Sequence, residues 1–473
     1  MGSLKSVRVR HAPCRLAAAL AVPAPPAAFS LRRLRAAEVH DDNETMYPIH
    51  FPGKVLPGAV RASLLAFCMT GAAHVAQAAD PADATDTGAP AWKLSGFGTL
   101  GAVHSSERHA DYSSSALKAD GAGRSHAWSA DVDSKLGAQV DWQMSPRWSA
   151  VLQVVSEQRL DYSYRPRVEW ANVKYQATPE LALRVGRIAL PMFVAADYRK
   201  VGYAYPWVRT PVELYGAVPL SSSDGADLTW RWNGETLRGT TQAFAGRTDM
   251  ALYEGARLRG SGIAGLSQTI ERGALSVRAS LITTRLTVSL YPELFAGLRA
   301  FGGQGIDVAD AIATERKRAN AFSIGMNYDP GEWFVLAEAG HYRVDSFLGT
   351  TNSFYASGGY RYGAFTPFVG YARIAGKKPP GPHALSLDGL PPPYAAAGGE
   401  LNLVLDKLLR TIASQSTVSA GLRWDAAPNV ALKLQYDRVT PRDGSRGTMM
   451  NLGPAFRSGQ TAHVASATLD FVF

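Results

Sequence analysis

Few side chains in this 473-residue chain are spaced to make or break a bond. Gly96-Phe97-Gly98-Thr99-Leu100-Gly101 matches G-x-G-x-x-G. In a dinucleotide site that motif follows a strand, opens a helix and holds a pyrophosphate at the helix N-terminus. Here it lies inside an alternating run that continues through Ala102 and Val103, with no helical period after it. It reads as small residues in a closely packed strand. His104, His109, His126, His341, His383 and His463 show neither H-E-x-x-H nor helical i,i+4 spacing, and no G-x-S-x-G elbow occurs. A lipid-facing Ser–His pair could serve a barrel enzyme, but only His341 has the parity for that face, and no partner can be assigned to it. Cys14 and Cys68 both precede residue 79, so thiol chemistry is absent beyond that point. No catalytic residue, cofactor or metal site is expected.

The remaining chemistry is electrostatic. In strand-like segments Lys135, Lys174, Arg184, Arg231, Arg238, Arg278, Arg361, Arg423 and Lys433 share the polar parity with Asp133, Asp141, Asp227, Glu338, Asp437 and Asp470. A long segment, 188–223, carries Asp197, Arg199, Lys200, Arg209 and Glu213 among Tyr198, Tyr203, Tyr205, Trp207 and Tyr215. Charges gathered on one wall select ions rather than transform substrates.

These residues must be positioned by strands. From Trp92 onward one unit repeats: an alternating strand, a tight turn, a second alternating strand, then a longer polar loop. Leu136, Ala138, Val140, Trp142 and Met144 alternate with Lys135, Gly137, Gln139, Asp141 and Gln143; Ser145-Pro146-Arg147 turns the chain, and Trp148, Ala150, Leu152 and Val154 resume the period. Six more such pairs turn at 178–180, 233–234, 271–273, 329–332, 362–364 and 426–429. A first strand at 92–103 and a last at 463–473 bring the expected count to about sixteen. Eight long connections (105–128, 156–166, 188–223, 246–260, 285–318, 343–352, 374–415 and 438–460) alternate with the short turns, the asymmetry of a transmembrane β-barrel. Trp142, Trp148, Trp232, Trp333 and Trp424 crowd the short turns, with Tyr175, Tyr328, Phe365 and Phe473, as rings at a membrane interface would. The expected class is an all-β, transmembrane, antiparallel barrel over 92–473. Leu401, Val404, Leu405, Leu408, Leu409 and Ile412 have helical spacing in the seventh loop, and Leu294, Leu298, Phe301, Ile306, Val308 and Ile312 in the fifth. Each reads as a helix packed on other loops or as a plug.

Met46 begins an export signal: basic Lys54 and Arg61, an apolar core at 62–73, and Ala76-Gln77-Ala78 as the cleavage motif. Residues 46–78 therefore read as a signal peptide, 79–91 as a flexible periplasmic tail, and 1–45 as an over-called start or an extended leader. Residues 1–78 hold nine Lys/Arg against four acids; without them the formal +9 falls to 40 basic and 36 acidic residues. That balance gives no support to nucleic-acid binding.

The closing row Ala465, Ala467, Leu469, Phe471 and Phe473 resembles the C-terminal assembly signal of Gram-negative outer-membrane proteins. Leu94–Leu100 resembles the first strand of proteobacterial porins, and Gly186-Arg187-Ile188-Ala189-Leu190-Pro191, leading into a long third loop, is also porin-like. Over 92–473 the chain is similar to the Gram-negative outer-membrane porin family. The resemblance implies a sixteen-stranded barrel in the outer-membrane lipid bilayer, often a homotrimer, inserted by the barrel-assembly machinery through Phe473. It also implies a third loop folded into the lumen and passive diffusion of small hydrophilic solutes. The third loop lacks the short acidic motif of many general porins. With the third loop inward, Asp197, Arg199, Lys200, Arg209 and Glu213 would face one another across a constriction. Lys135, Lys174, Arg184, Arg231, Arg278, Glu338, Arg423 and Lys433 would line the pore; the excess of bases gives a weak anion preference, unless bases and acids pair with one another and leave little selectivity. The alternatives are a substrate-selective channel, a barrel enzyme, or an anchor with a blocked lumen. Sixteen strands disfavour the last, because a ring of that size leaves an aqueous channel.

Overall fold

A computed structural model describes residues 91–473; the signal peptide, the leader and nearly all of the expected periplasmic tail lie outside the described residues. Sixteen long strands follow in order: β1 Ala91–Ser105, β2 Lys135–Gln143, β3 Trp148–Glu157, β4 Arg167–Gln176, β5 Leu181–Ala189, β6 Ser222–Asn233, β7 Arg238–Ala251 and β8 Arg257–Arg272, then β9 Leu275–Val288, β10 Thr314–Tyr328, β11 Trp333–Val344, β12 Thr350–Tyr360, β13 Phe365–Lys377, β14 Gln415–Ala427, β15 Val430–Pro441 and β16 Ala462–Val472. Each pairs antiparallel with its chain neighbours. β1 closes the ring on β16, from Phe97 opposite Val472 to Ser105 opposite Val464. Closure leaves no open sheet edge, which hydrocarbon would penalise by several kcal/mol per orphaned group.

The outer face is apolar. Leu94, Leu136, Leu152, Val185, Leu266, Leu281, Phe322, Ile324, Phe354, Val369, Val418 and Leu434 are all exposed on it. Aromatic pairs ring the short-turn end: Trp92 stacks on Trp142 at 4.5 Å, Trp148 meets Tyr175 at 4.7 Å, Tyr328 meets Trp333 at 5.2 Å, and Phe365 stacks on Trp424 at 5.9 Å. An apolar belt with an interfacial aromatic girdle is a lipid-facing surface. The chain is a transmembrane β-barrel.

Several boundaries differ from the sequence expectation. Asn233-Gly234 is not a two-residue hairpin; Asn233 pairs with Arg238 across a four-residue connection. Strands β7 and β8 extend to Ala251 and from Arg257, so the fourth long loop shrinks to 252–256. The sixth shrinks to 345–349 in the same way. Above the bilayer the outer face needs no apolar residues, so alternation fades while the ladder continues.

Both loop helices form. α2 (Pro292–Arg299) and α3 (Gly303–Ile312) split the fifth loop at Gly302, whose φ of 71° favours glycine. α4 spans Pro392–Leu409 in the seventh loop. Leu294, Leu298, Val308, Ile312, Leu401, Leu405 and Leu408 bury one common core there, with Phe347 of the sixth loop. The helices pack on other loops. Ile306 alone of the fifth-loop set faces solvent at 44% exposure.

Candidate functional site: a lumen crossed by the third loop

The connection 190–221 enters the barrel. It does so because inward positions on the far wall carry large apolar residues where a water-filled lumen would carry polar ones. Phe244, Ile263, Ile282, Phe334, Tyr342, Tyr355 and Phe368 pack with Leu190, Met192, Phe193, Trp207, Leu214 and Tyr215 of the loop. At about 25 cal/mol per Å² of apolar surface, burying a single large side chain of this kind contributes about 1.5–3 kcal/mol.

Polar contacts then fix its path. Ser280 donates to the Pro191 carbonyl at 2.8 Å, Ser323 to that of Met192, and Arg278 to that of Phe193 at 3.0 Å. Glu338 accepts from the Tyr215 hydroxyl at 2.5 Å, the Tyr355 hydroxyl at 2.6 Å and the Val194 amide at 2.8 Å. Trp207 Nε1 donates to Ser357 at 2.8 Å. Lys433 donates to the carbonyls of Gly202 at 2.6 Å and Trp207 at 2.9 Å, and pairs with Asp470 at 2.9 Å.

Arg209 is the most heavily engaged residue. Its guanidinium takes both oxygens of Asp133 at 2.9 and 2.6 Å, Asp437 at 3.1 Å, the Tyr112 hydroxyl at 3.2 Å and Ser466 at 2.6 Å. Glu213, in the single turn Val212–Tyr215 (α1), accepts from Gln415 Nε2 at 2.7 Å and from the Thr417 hydroxyl. Burial pushes the Glu213 carboxyl above its ordinary range, and those two hydrogen bonds only partly offset the push.

The loop's charges are therefore placed differently from the sequence expectation. Arg209 is 6% and Glu213 1% exposed, so neither faces open water. They are anchors. Arg199 reaches the carbonyls of Leu220 and Tyr215, and Lys200 pairs with Glu157. Asp197 is exposed beside Arg278 at 3.4 Å. The wall residues divide likewise. Glu338 and Lys433 are buried beneath the loop; Arg278 and Arg423 are largely covered by it, with Arg423 donating to the Tyr203 carbonyl at 2.6 Å. None of these four lies bare to the lumen as a pore-lining charge would. Lys174, Arg184 and Arg231 stand on strands away from the loop's anchors, whereas Lys135 donates to the hydroxyl of the loop's Tyr205 at 3.5 Å. Lys174 lies opposite Arg184, which pairs with Asp227 at 2.9 Å. Arg361 lies in a short turn and pairs with Asp329 at 2.7 Å, at the rim and not in the lumen.

Between the loop and strands β2–β4, β6 and β7 a cavity of about 410 Å³ remains. Its cationic lining includes Lys135, Arg159, Arg165 and Arg167, none of which is in an ion pair among the described residues. Met250, Leu252, Leu160 and Tyr253 form an apolar part of the same lining. Sequence reading missed Arg159, Arg165 and Arg167, which lie at or beyond a strand end where parity gives no direction.

His341 has the lipid-facing position expected of it, with Nδ1 2.8 Å from Asn352 Oδ1. Its cross-strand neighbours are Phe322 and Asn352, and its neighbours along the same face are Ala339 and Arg343. None supplies a nucleophile. Among the described residues no cluster of metal-ligating side chains occurs.

The fold and the lumen together define a class: a sixteen-stranded transmembrane barrel narrowed by an inward third loop. No protein-family model and no curated protein sequence matches the chain. Similar solved structures include the outer membrane channel DcaP of Acinetobacter baumannii (10% identity, TM-score 0.49, covering 81% of this chain and 98% of that one). The anion-selective porin from Comamonas acidovorans is similar at 11% identity and TM-score 0.49 over 81% and 100%. Salmonella typhi OmpF in complex with daunomycin is similar at 12% identity and TM-score 0.46 over 81% and 97%. The barrel assignment rests on the closed ladder and the apolar belt, not on these likenesses.

Proposed function

We propose that this protein is an outer-membrane porin that lets small hydrophilic solutes diffuse passively, with a weak preference for anions and without catalysis or cofactor. The observation that carries the reading is the cavity beside the third loop. Eight basic side chains line it against four acids: Lys135, Arg159, Arg165 and Arg167 are in no ion pair among the described residues, Asp133 and Glu157 are engaged by Arg209 and Lys200, and Asp161 and Glu169 are the remaining acids. Fixed unpaired cations in a narrow aqueous space raise the local anion concentration. The same reading has the chain exported by a cleaved signal peptide, inserted through its C-terminal Phe473 and assembled as a homotrimer.

A second reading is a channel selective for amphipathic organic anions, favoured by the apolar side of the cavity at Leu160, Met250, Leu252 and Tyr253. Planar-bilayer recording tests both. Stepwise conductance with a reversal potential on the anion side under a KCl gradient is expected. Replacing Arg159, Arg165 and Arg167 by Gln should move that potential toward zero. Silence from correctly folded protein, or a reversal potential the triple substitution leaves in place, overturns the reading. Saturation of current by a small aromatic carboxylate, but not by chloride, would favour the second.

A further inference from the structure

The two ends of the outer wall carry different chemistry. At the short-turn end aromatic rings mark the interface, among them Tyr328 and Trp333. At the long-loop end of β9–β11 the outward residues are arginines. Arg285 on β9 and Arg318 on β10 stand directly opposite each other, and both are exposed. Cross-strand neighbours hold their Cβ atoms about 5 Å apart, and like charges there repel. Neither guanidinium makes an ion pair or hydrogen bond among the described residues, although the Arg285 carbonyl accepts from the Ser261 hydroxyl at 3.3 Å; Glu315, three positions from Arg318, is exposed and pairs with neither. Arg343 lies one strand further, where it opposes Asn320 and holds Asp345 at 3.1 Å.

Their depth follows from the strand geometry. Arg318 is ten residues from Tyr328, and Arg343 ten from Trp333. Ten residues rise roughly 33 Å along a strand and, at the usual tilt, about 25 Å along the barrel axis. That is the height of an outer-membrane barrel's apolar band. With one end at the aromatic girdle, the arginines lie at the opposite headgroup level, above exposed Leu281 and Phe322. Two unneutralised guanidiniums at that depth need an anion, and a phosphate accepts bidentate bonds from both.

We propose that this patch binds the phosphate of an anionic lipid headgroup in the leaflet on the long-loop side, with Arg285 and Arg318 as its paired donors. The site is on the outer wall and is independent of what crosses the lumen.

Spin-label electron paramagnetic resonance tests it on the intact barrel in phosphatidylcholine vesicles, with spin-labelled phosphatidic acid and spin-labelled phosphatidylcholine as probes. The barrel should select phosphatidic acid several-fold through a saturable component that 1 M salt weakens. Arg285→Gln with Arg318→Gln should remove that component and leave conductance unchanged. Removing charge from a lipid face does not endanger folding. Arg257→Gln is the control, because Asp249 already neutralises Arg257 at 2.8 Å; it should leave the selection intact. Equal association of the two probes, or selection that survives the double substitution, overturns the proposal. Displacement of the lipid by inorganic phosphate at physiological salt would reassign the site to a soluble anion and likewise overturn it. Loss of conductance without change in lipid selection would count against the porin reading and leave this site standing.

Discussion

Arg209 grips Asp133 with two parallel bonds, at 2.9 and 2.6 Å, across 76 residues of chain. The fork ties the third loop to the end of the connection that leads into β2, while the third contact, to Asp437 on β15, ties it to the other side of the closure. One buried cation thus spans the seam of the barrel. Arg209→Ala leaves two carboxylates buried without their counter-ion, a loss of about 3–5 kcal/mol. The loop should leave the lumen, and single-channel conductance should rise. Arg209→Lys restores the charge but not the fork and should rescue only part of the change. Unaltered conductance in Arg209→Ala would show that the apolar core alone holds the loop.

Lys433 and Asp470 form a second anchor, both fully buried, with Thr99 donating to Asp470 at 2.5 Å. Here the pair can be separated from its members. Lys433→Met alone strands a buried carboxylate and should lower the temperature at which the barrel loses its compact band on a denaturing gel. Lys433→Met with Asp470→Asn removes both charges and should recover much of the loss. Gly202 reads the same contact from the loop side, since a Cβ there would fall 2.3 Å from Asp470 Oδ1. Gly202→Ala should loosen the loop even with the ion pair intact.

Glu213 gives the docked loop a pH dependence. Burial raises its folded pKa above the ordinary 4.5, so docking binds a proton more tightly than the free chain does. That stabilisation is fully present below about pH 4.5 and is lost as pH rises through the raised folded value. Glu213→Gln keeps an acceptor for Gln415 and Thr417 and carries no charge to desolvate. It should raise the melting temperature at pH 7–8 and leave it nearly unchanged at pH 4. An equal shift at both values would mean that ionisation of Glu213 plays no part.

The barrel was legible because its signal is local. Alternation, turn residues and interfacial tryptophans each repeat many times, and an error in one hairpin, such as Asn233-Gly234, leaves the ring intact. The lumen was legible only in part. Parity put Glu338 and Lys433 on the inner face but could not show that a loop would cover them. The missed signal was apolar: Phe244, Ile263, Ile282, Phe334 and Phe368 hold inward positions where water would want polar groups. Read as a group, they require something greasy inside the barrel, and the third loop with Phe193, Trp207 and Tyr215 is the segment that supplies it. The cations of the cavity escaped notice for a different reason. Arg159 and Arg165 lie in the loop 158–166, whose side-chain directions follow from tertiary packing and not from any period.

The seam that closes the ring ends at Gly96 and Phe473. The two exchange backbone bonds, Gly96 N–H to the Phe473 carbonyl at 2.8 Å and Phe473 N–H to the Gly96 carbonyl at 3.0 Å. The Phe473 ring lies over the glycine, where an added Cβ would fall 2.2 Å from it. Gly96→Val should therefore push the ring aside and slow or prevent closure, read as a lower yield of heat-modifiable barrel on refolding into detergent. Phe473→Ala removes the ring but keeps the backbone bonds, so the closed barrel should still form in detergent. The double substitution separates the two effects: with the ring gone, the introduced isopropyl group has room, and the refolding yield should recover toward that of Phe473→Ala alone. If the double variant refolds no better than Gly96→Val, the glycine serves the strand itself and not its contact with Phe473.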